Sequence, residues 1–123
     1  SEGTVFDLDG GNHGNLVVSG TGTLRNGGVQ TLTLIANVSE ENGVCIDETA
    51  SLKGTVYVDF CADEDSPVPY GTYAIAAYSG AAPETMNWKA LNLGERNMGA
   101  VFTASDGKVY ATVKKRGFIV TLK

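Results

Sequence analysis

Short runs of alternating apolar and polar residues, separated by glycine, asparagine and aspartate, recur along almost the entire chain. Clear examples are residues 31–36, 54–60 and 71–78. Because successive side chains of a β-strand point to opposite faces of the sheet, this alternation predicts strands with one buried and one exposed face. No stretch has the spacing of an amphipathic helix. The sequence therefore predicts an all-β chain with no substantial helix.

The number and length of these runs bear on the architecture. About nine to ten short strands fit into a single domain that spans residues 1–123. Irregular runs before residue 50 favour a β-solenoid of the β-helix kind, whereas longer runs after it favour an antiparallel, jelly-roll-like β-sandwich. Residues 25–28 and 105–107 contain Asn-Gly and Asp-Gly pairs, which predict two β-hairpins. Residues 1–10 and 117–123 are candidate terminal strands for pairing between subunits.

The two cysteines, Cys45 and Cys61, predict an oxidising compartment. An even cysteine count in a small β chain is typical of a disulfide, which would stabilise the fold by about 3 kcal/mol. The alternative is a pair of free thiols. The chain begins at Ser1 without an apolar leader, which we interpret as a mature secreted or surface-exposed chain whose leader is absent.

Charge is unevenly distributed along the chain. Residues 1–70 hold eleven acids and two bases, a net of −9, and residues 71–123 hold three acids and seven bases, a net of +4, which together give the −5 of the whole chain. Such asymmetry predicts head-to-tail attraction between copies, unless the two halves interleave in the fold. The basic run at residues 114–116 is too short to predict nucleic-acid binding, and no run of about 18 apolar residues predicts a membrane span.

Few residues predict site chemistry. Asp7, Asp9 and Asn12 offer oxygen ligands that Ca²⁺ prefers, although a turn stabilised by these side chains explains them equally well. Trp88, Tyr73 and Tyr78 are candidate glycan contacts, and the alternative is that they cover the core or a sheet face. The single histidine, His13, has no nucleophile pattern around it, so the chain is predicted not to be an enzyme.

Two stretches carry a resemblance to a known family. Residues 16–24, followed by residues 28–34, are similar to the Gly-Thr-Gly-Thr-Leu turn and strand of autotransporter-associated β-strand repeats. Residues 70–80 and 88–93, with the hairpin about Asp106 and Gly107, resemble the segment that commonly ends such passengers. The chain thus resembles the passenger region of bacterial autotransporter-type surface proteins. This resemblance implies an extracellular, non-catalytic surface element with parallel β-helix character.

We interpret the chain as a non-enzymatic structural protein of the cell surface that assembles with copies of itself or with neighbouring subunits into a filament, fibre or surface layer. The alternative is a small carbohydrate-binding or adhesin module. Strand pairing and charge complementarity would hold the assembly together. The candidate assembly contacts are Val5, Phe6, Leu8, Asp63, Glu64, Asp65, Lys114, Lys115, Arg116, Phe118 and Val120.

Overall fold

The computed structural model describes residues 4–36, 38 and 43–115. Within these residues it contains ten strands and no helix, so the all-β prediction is confirmed. In chain order the strands are β1 (Thr4–Asp7), β2 (Asn12–Ser19), β3 (Gly22–Arg25), β4 (Gly27–Ile35), β5 (Val44–Ile46), β6 (Ala50–Asp59), β7 (Gly71–Tyr78), β8 (Trp88–Leu91), β9 (Met98–Ser105) and β10 (Lys108–Lys115).

The strands form two sheets, and the chain changes sheet after each of the first eight strands. The six-stranded sheet has the order β1-β3-β5-β7-β10-β9, and the four-stranded sheet has the order β2-β4-β6-β8. Pairs among β1, β3, β5 and β7 are parallel, as are all pairs of the four-stranded sheet. β10 runs antiparallel to both β7 and β9. The described chain therefore ends in an antiparallel hairpin added to parallel sheets.

Parallel pairing places apolar side chains in rows across the sheets. Leu16, Leu32, Val56 and Trp88 occupy matching positions on β2, β4, β6 and β8. Such side chains meet inward residues of the six-stranded sheet, including Leu24, in one cluster of buried residues. Full burial of each Leu or Val contributes about 1.5–3 kcal/mol, so this shared cluster holds the two sheets together.

The alternation at residues 54–60 matches the alternation of burial along β6. Val56, Val58 and Phe60 are 2%, 0% and 6% exposed, while Tyr57 and Asp59 between them are half-buried. The hairpin predicted at residues 105–107 is also confirmed, because β9 and β10 pair around Asp106 and Gly107 with φ of 53° and 82°.

The hairpin predicted at residues 25–28 is wrong. Asn26 does adopt the expected positive φ of 61°, but β3 and β4 lie in different sheets and do not pair. A left-handed residue followed by glycine can turn the chain from one sheet to the other as well as back on itself. The sequence pair alone does not distinguish these two outcomes.

The connections between sheets gather at two opposite ends of the molecule. At the first, which we call the turn end, β1, β3 and β5 each lead through a short turn into the next strand, and β7 leads into residues 79–87. Backbone hydrogen bonds join consecutive turns there, such as Gly10 N to Asn26 O at 2.5 Å and Gly27 N to Thr49 O at 3.2 Å. At the other, the loop end, lie residues 20–21, 36, 38, 43, 60–70 and 92–97.

Candidate functional site

Strands β1 and β2 form an open end of the molecule. β1 pairs only with β3 and β2 only with β4, so among the described strands nothing pairs with their outer edges. Val5 on β1 and Val17 on β2 are 48% and 66% exposed. Unpaired backbone N–H and C=O groups along a strand are a template for pairing with another strand. The open end therefore presents two such templates side by side, one from each sheet.

At the opposite end, the outer edges of β8 and β9 are also unpaired among the described strands, but these two strands contact each other. The Phe102 ring of β9 packs against the Trp88 ring of β8, with centroids 5.9 Å apart and planes inclined by 50°. The Thr85 hydroxyl, just before β8, donates a hydrogen bond of 2.8 Å to the Phe102 carbonyl. These contacts tie the last strands of the two sheets to each other.

A groove lies at the turn end where β8 is too short to cover β6. β8 pairs with β6 only along residues 56–59. Residues 50–52 of β6 pair with β4 on one side, residues 53–54 form a bulge, and no described strand pairs with residues 50–54 on the other side. This free edge lines a cavity of about 370 Å³, and the far wall is formed by the β7–β8 connection, including Ser79, Pro83 and Asn87. The groove thus combines a free strand edge with a defined volume.

The walls of this groove carry more negative than positive charge. Asp47, Glu48 and Glu84 line it together with one base, Lys53. The wall is closely packed: the Glu48 amide donates to the Ser79 hydroxyl at 3.2 Å, and a Cβ on Gly80 would lie 2.6 Å from the Glu48 Cβ. This site was not predicted from the sequence. The available signal was the shortness of the run after Trp88 relative to the run that ends at Phe60.

Five of the predicted charged assembly contacts lie at the loop end. Asp63, Glu64 and Asp65 are exposed in the loop before β7, and Asp63 Oδ1 accepts hydrogen bonds from the amides of Asp65 and Ser66, both at 3.1 Å. Lys114 and Lys115 end β10 at the same end, because Val113 pairs with Gly71.

The apolar contacts predicted in the first strand are only partly accessible. Val5 is exposed, Phe6 is half-buried and Leu8 is buried at 6% exposure. Arg116, Phe118 and Val120, with the candidate strand at residues 117–123, lie outside the described residues, as do residues 1–3. A role of all these residues in assembly stays a prediction.

The predicted calcium ligands take part in a turn. Asp7 Oδ1 accepts the Asp9 amide at 2.9 Å, and Asp7 Oδ2 accepts from Asn26 Nδ2 at 3.3 Å and lies 3.5 Å from Arg25 Nε. The Asp9 amide is the main cause that lowers the pKa of Asp7, and Asn26 and Arg25 add to it against desolvation. Asn12 starts β2 in the other sheet. Both Asp7 oxygens thus have protein partners, and calcium binding stays a prediction.

The disulfide predicted between Cys45 and Cys61 is not formed in this structure, where both thiols are free. Cys45 lies between the buried Val44 and Ile46 of β5, so its side chain points away from the core on the six-stranded sheet. Cys61 is exposed and follows β6 of the other sheet. Desolvation raises the pKa of both thiols, with added effects of Asp47 on Cys45 and of Asp59 on Cys61.

The predicted glycan contacts do not form an exposed aromatic surface. Trp88 is buried at 6% exposure, which agrees with the interpretation of Trp88 as a core residue and not with an exposed glycan contact. Tyr73 and Tyr78 are half-buried and pack against the core cluster, and the Tyr73 hydroxyl donates to the Pro69 carbonyl at 2.5 Å. Tyr70, at 57% exposure beside Pro67 and Pro69, is the aromatic ring that the loop end does expose.

Within residues 4–36, 38 and 43–115, no three His, Cys, Asp or Glu side chains come together closely enough to hold a metal ion. The same residues contain no helix that is long and apolar enough to span a membrane. Comparison of the chain with protein-family models, with curated proteins and with solved structures finds no match.

Proposed function

We propose that this chain is a non-enzymatic structural module, a short β-solenoid whose last two strands pack against each other, and that it assembles with copies of itself through its open end. The β1–β8 path supports the solenoid, because successive strands alternate between two sheets and stack in parallel on the strands two positions earlier. A short stack of this kind buries its rows of side chains only where a neighbouring strand pair covers them.

The observation that carries the proposal is the contrast between the two ends. The free edges of β1 and β2 lie together, whereas β8 and β9 contact each other through Trp88, Phe102 and Thr85. A contact made by the same open end of both copies is symmetric and closes as a dimer. Main-chain hydrogen bonds between β1 and β2 of one copy and the same two strands of the other would then pair the free N–H and C=O groups of these edges.

The test is sedimentation velocity over a concentration series, comparing the unchanged chain with the variant Val5→Lys/Val17→Lys. Lysine on an edge strand opposes pairing, and a symmetric contact brings four such charges together. We expect self-association to weaken about tenfold or more, since each 1.4 kcal/mol is a factor of ten. Val101→Lys is the matched control, because Val101 is as exposed as Val5, at 48%, but lies on β9.

Equal self-association of the unchanged chain and Val5→Lys/Val17→Lys would contradict the proposal, as would an unchanged chain that stays monomeric at every concentration. The substituted side chains are exposed, so folding should be retained, and far-UV circular dichroism of each variant checks this point.

A further inference from the structure

The groove beside β6 contains an unpaired strand edge. Residues 50–54 offer a free backbone edge in the middle of the molecule, between β4 and the β7–β8 connection. The volume of about 370 Å³ lies within the range of about 300–1,000 Å³ that is typical of ligand pockets. An extended peptide added here would lie in line with β8 and continue the four-stranded sheet toward the turn end.

The walls of the groove select the chemistry of that peptide. Half-buried Ala50, Leu52 and Pro83 supply apolar contacts, and the surrounding Asp47, Glu48, Glu84 and Lys53 leave a net charge of −2. The matching peptide is therefore extended, apolar in alternate positions and basic at its ends.

The chain itself contains such a segment. Residues 116–123 begin with Arg116 and end with Lys123. They contain no acidic side chain, so the net charge of their side chains is +2. Between these bases, Phe118, Val120 and Leu122 alternate with other residues at the period of a strand. We propose that residues 116–123 of one copy bind as an added strand in the groove of a second copy; this inference rests on the proposed self-assembly and names a second contact for it.

The length of residues 116–123 favours binding in the groove of another copy over binding in the groove of the same copy. β10 begins near the turn end, where Gly107 O accepts the Tyr78 amide, and ends at Lys115 at the loop end. Its length at ~3.4 Å per residue is about 24 Å. Residues 116–123 span at most about 29 Å when fully extended, so nearly all of them would be used in returning to the groove of their own copy. A neighbouring copy has no such constraint.

This contact is heterologous, since it joins the end of one copy to the groove of the next. Combined with the symmetric contact of the open ends, it extends a dimer into an open filament. Either contact alone gives a different product, so the two can be separated by experiment.

The test is a charge exchange in full-length chains that also carry Val5→Lys/Val17→Lys, so that open-end pairing is suppressed. The first chain carries Glu48→Lys/Glu84→Lys in the groove, and the second carries Arg116→Glu/Lys123→Glu in the C-terminal segment. Each alone opposes like charges, and we expect its self-association to fall about tenfold or more below that of their shared parent. Mixed at equal amounts, each supplies what the other lacks, and association should recover.

The control is Glu95→Lys in the same background, which adds positive charge at the loop end, away from the groove. It should associate as the parent does. The inference is overturned if the parent is monomeric, if the two exchanged chains associate as the parent does, or if their mixture associates no better than either alone. Failure of the open-end contact shows separately, as equal association with and without Val5→Lys/Val17→Lys.

Discussion

Replacing Gly54 with alanine tests the parallel packing of β4 on β6. The pairing register shifts between Val29 and Thr31 on β4, so β6 holds an extra residue between Leu52 and Thr55. A Cβ on Gly54 would collide with the backbone carbonyl of Gln30 on β4. A backbone atom within a paired strand cannot move aside as the end of a flexible side chain can, so the sheet itself must shift.

The size of the effect follows from two opposing contributions. Overpacking of this kind costs about 1–3 kcal/mol, and the loss of glycine's freedom in the unfolded chain returns about 0.4–1 kcal/mol. The net loss of stability is then about 1–2 kcal/mol. With an unfolding entropy of about 2.1 cal/mol/K per residue over the whole chain, this lowers Tm by roughly 4–8 °C.

Differential scanning calorimetry of Gly54→Ala and Gly14→Ala measures this difference. Gly14 is the matched control because it lies on β2, and a Cβ there would meet no heavy atom within 4 Å. A Gly54→Ala variant as stable as Gly14→Ala would refute the close approach of β4 and β6 that the parallel register requires.

Two further expectations concern single side chains. Burial opposes ionisation of Asp59, but hydrogen bonds from Asn92 Nδ2 and the Cys61 amide, both at 2.9 Å, outweigh it and lower the pKa of Asp59 below its ordinary 3.8. Folding thus favours the ionised form of Asp59, so the stability that it contributes is present above pH 3.8 and is lost as pH falls through the lower folded-state pKa. Melting curves of Asp59→Asn should therefore show a smaller fall in Tm at acid pH than those of the unchanged chain. An equal fall in Tm would contradict this expectation. Thiol labelling of the native chain should modify the exposed Cys61 before the half-buried Cys45. The labelling rates should rise with pH, because both thiol pKa values are raised. Two unreactive cysteines would instead indicate a disulfide.

Local patterns predicted the strands and their buried faces because alternation is read from neighbouring residues. Val56, Val58 and Phe60 are an example, and the turn at Asp106 and Gly107 is another. The same local chemistry at Asn26 and Gly27 did not predict whether the chain folds back or changes sheet. That choice depends on which distant strand pairs, such as Leu32 with Val56, and these contacts join residues more than twenty positions apart.

The candidate sites were harder to predict for the same reason. In the sequence, Trp88 fits both a glycan-binding residue and a core residue. Its row with Val56 and its contact with Phe102 show that it is buried. The groove arises from a difference in length between β6 and β8, which no motif encodes. Acidic residues near Asp47 and Glu84 are far apart in sequence and become one surface only when the β5–β6 turn meets the β7–β8 connection.

The most direct test of the central claim is amide hydrogen exchange of the unchanged chain at low and at high protein concentration. The account predicts that the amides of β1 and β2 gain protection as concentration rises, while those of β10, which is paired on both sides, are protected throughout. Protection of β1 and β2 that does not depend on concentration would contradict assembly through the open end.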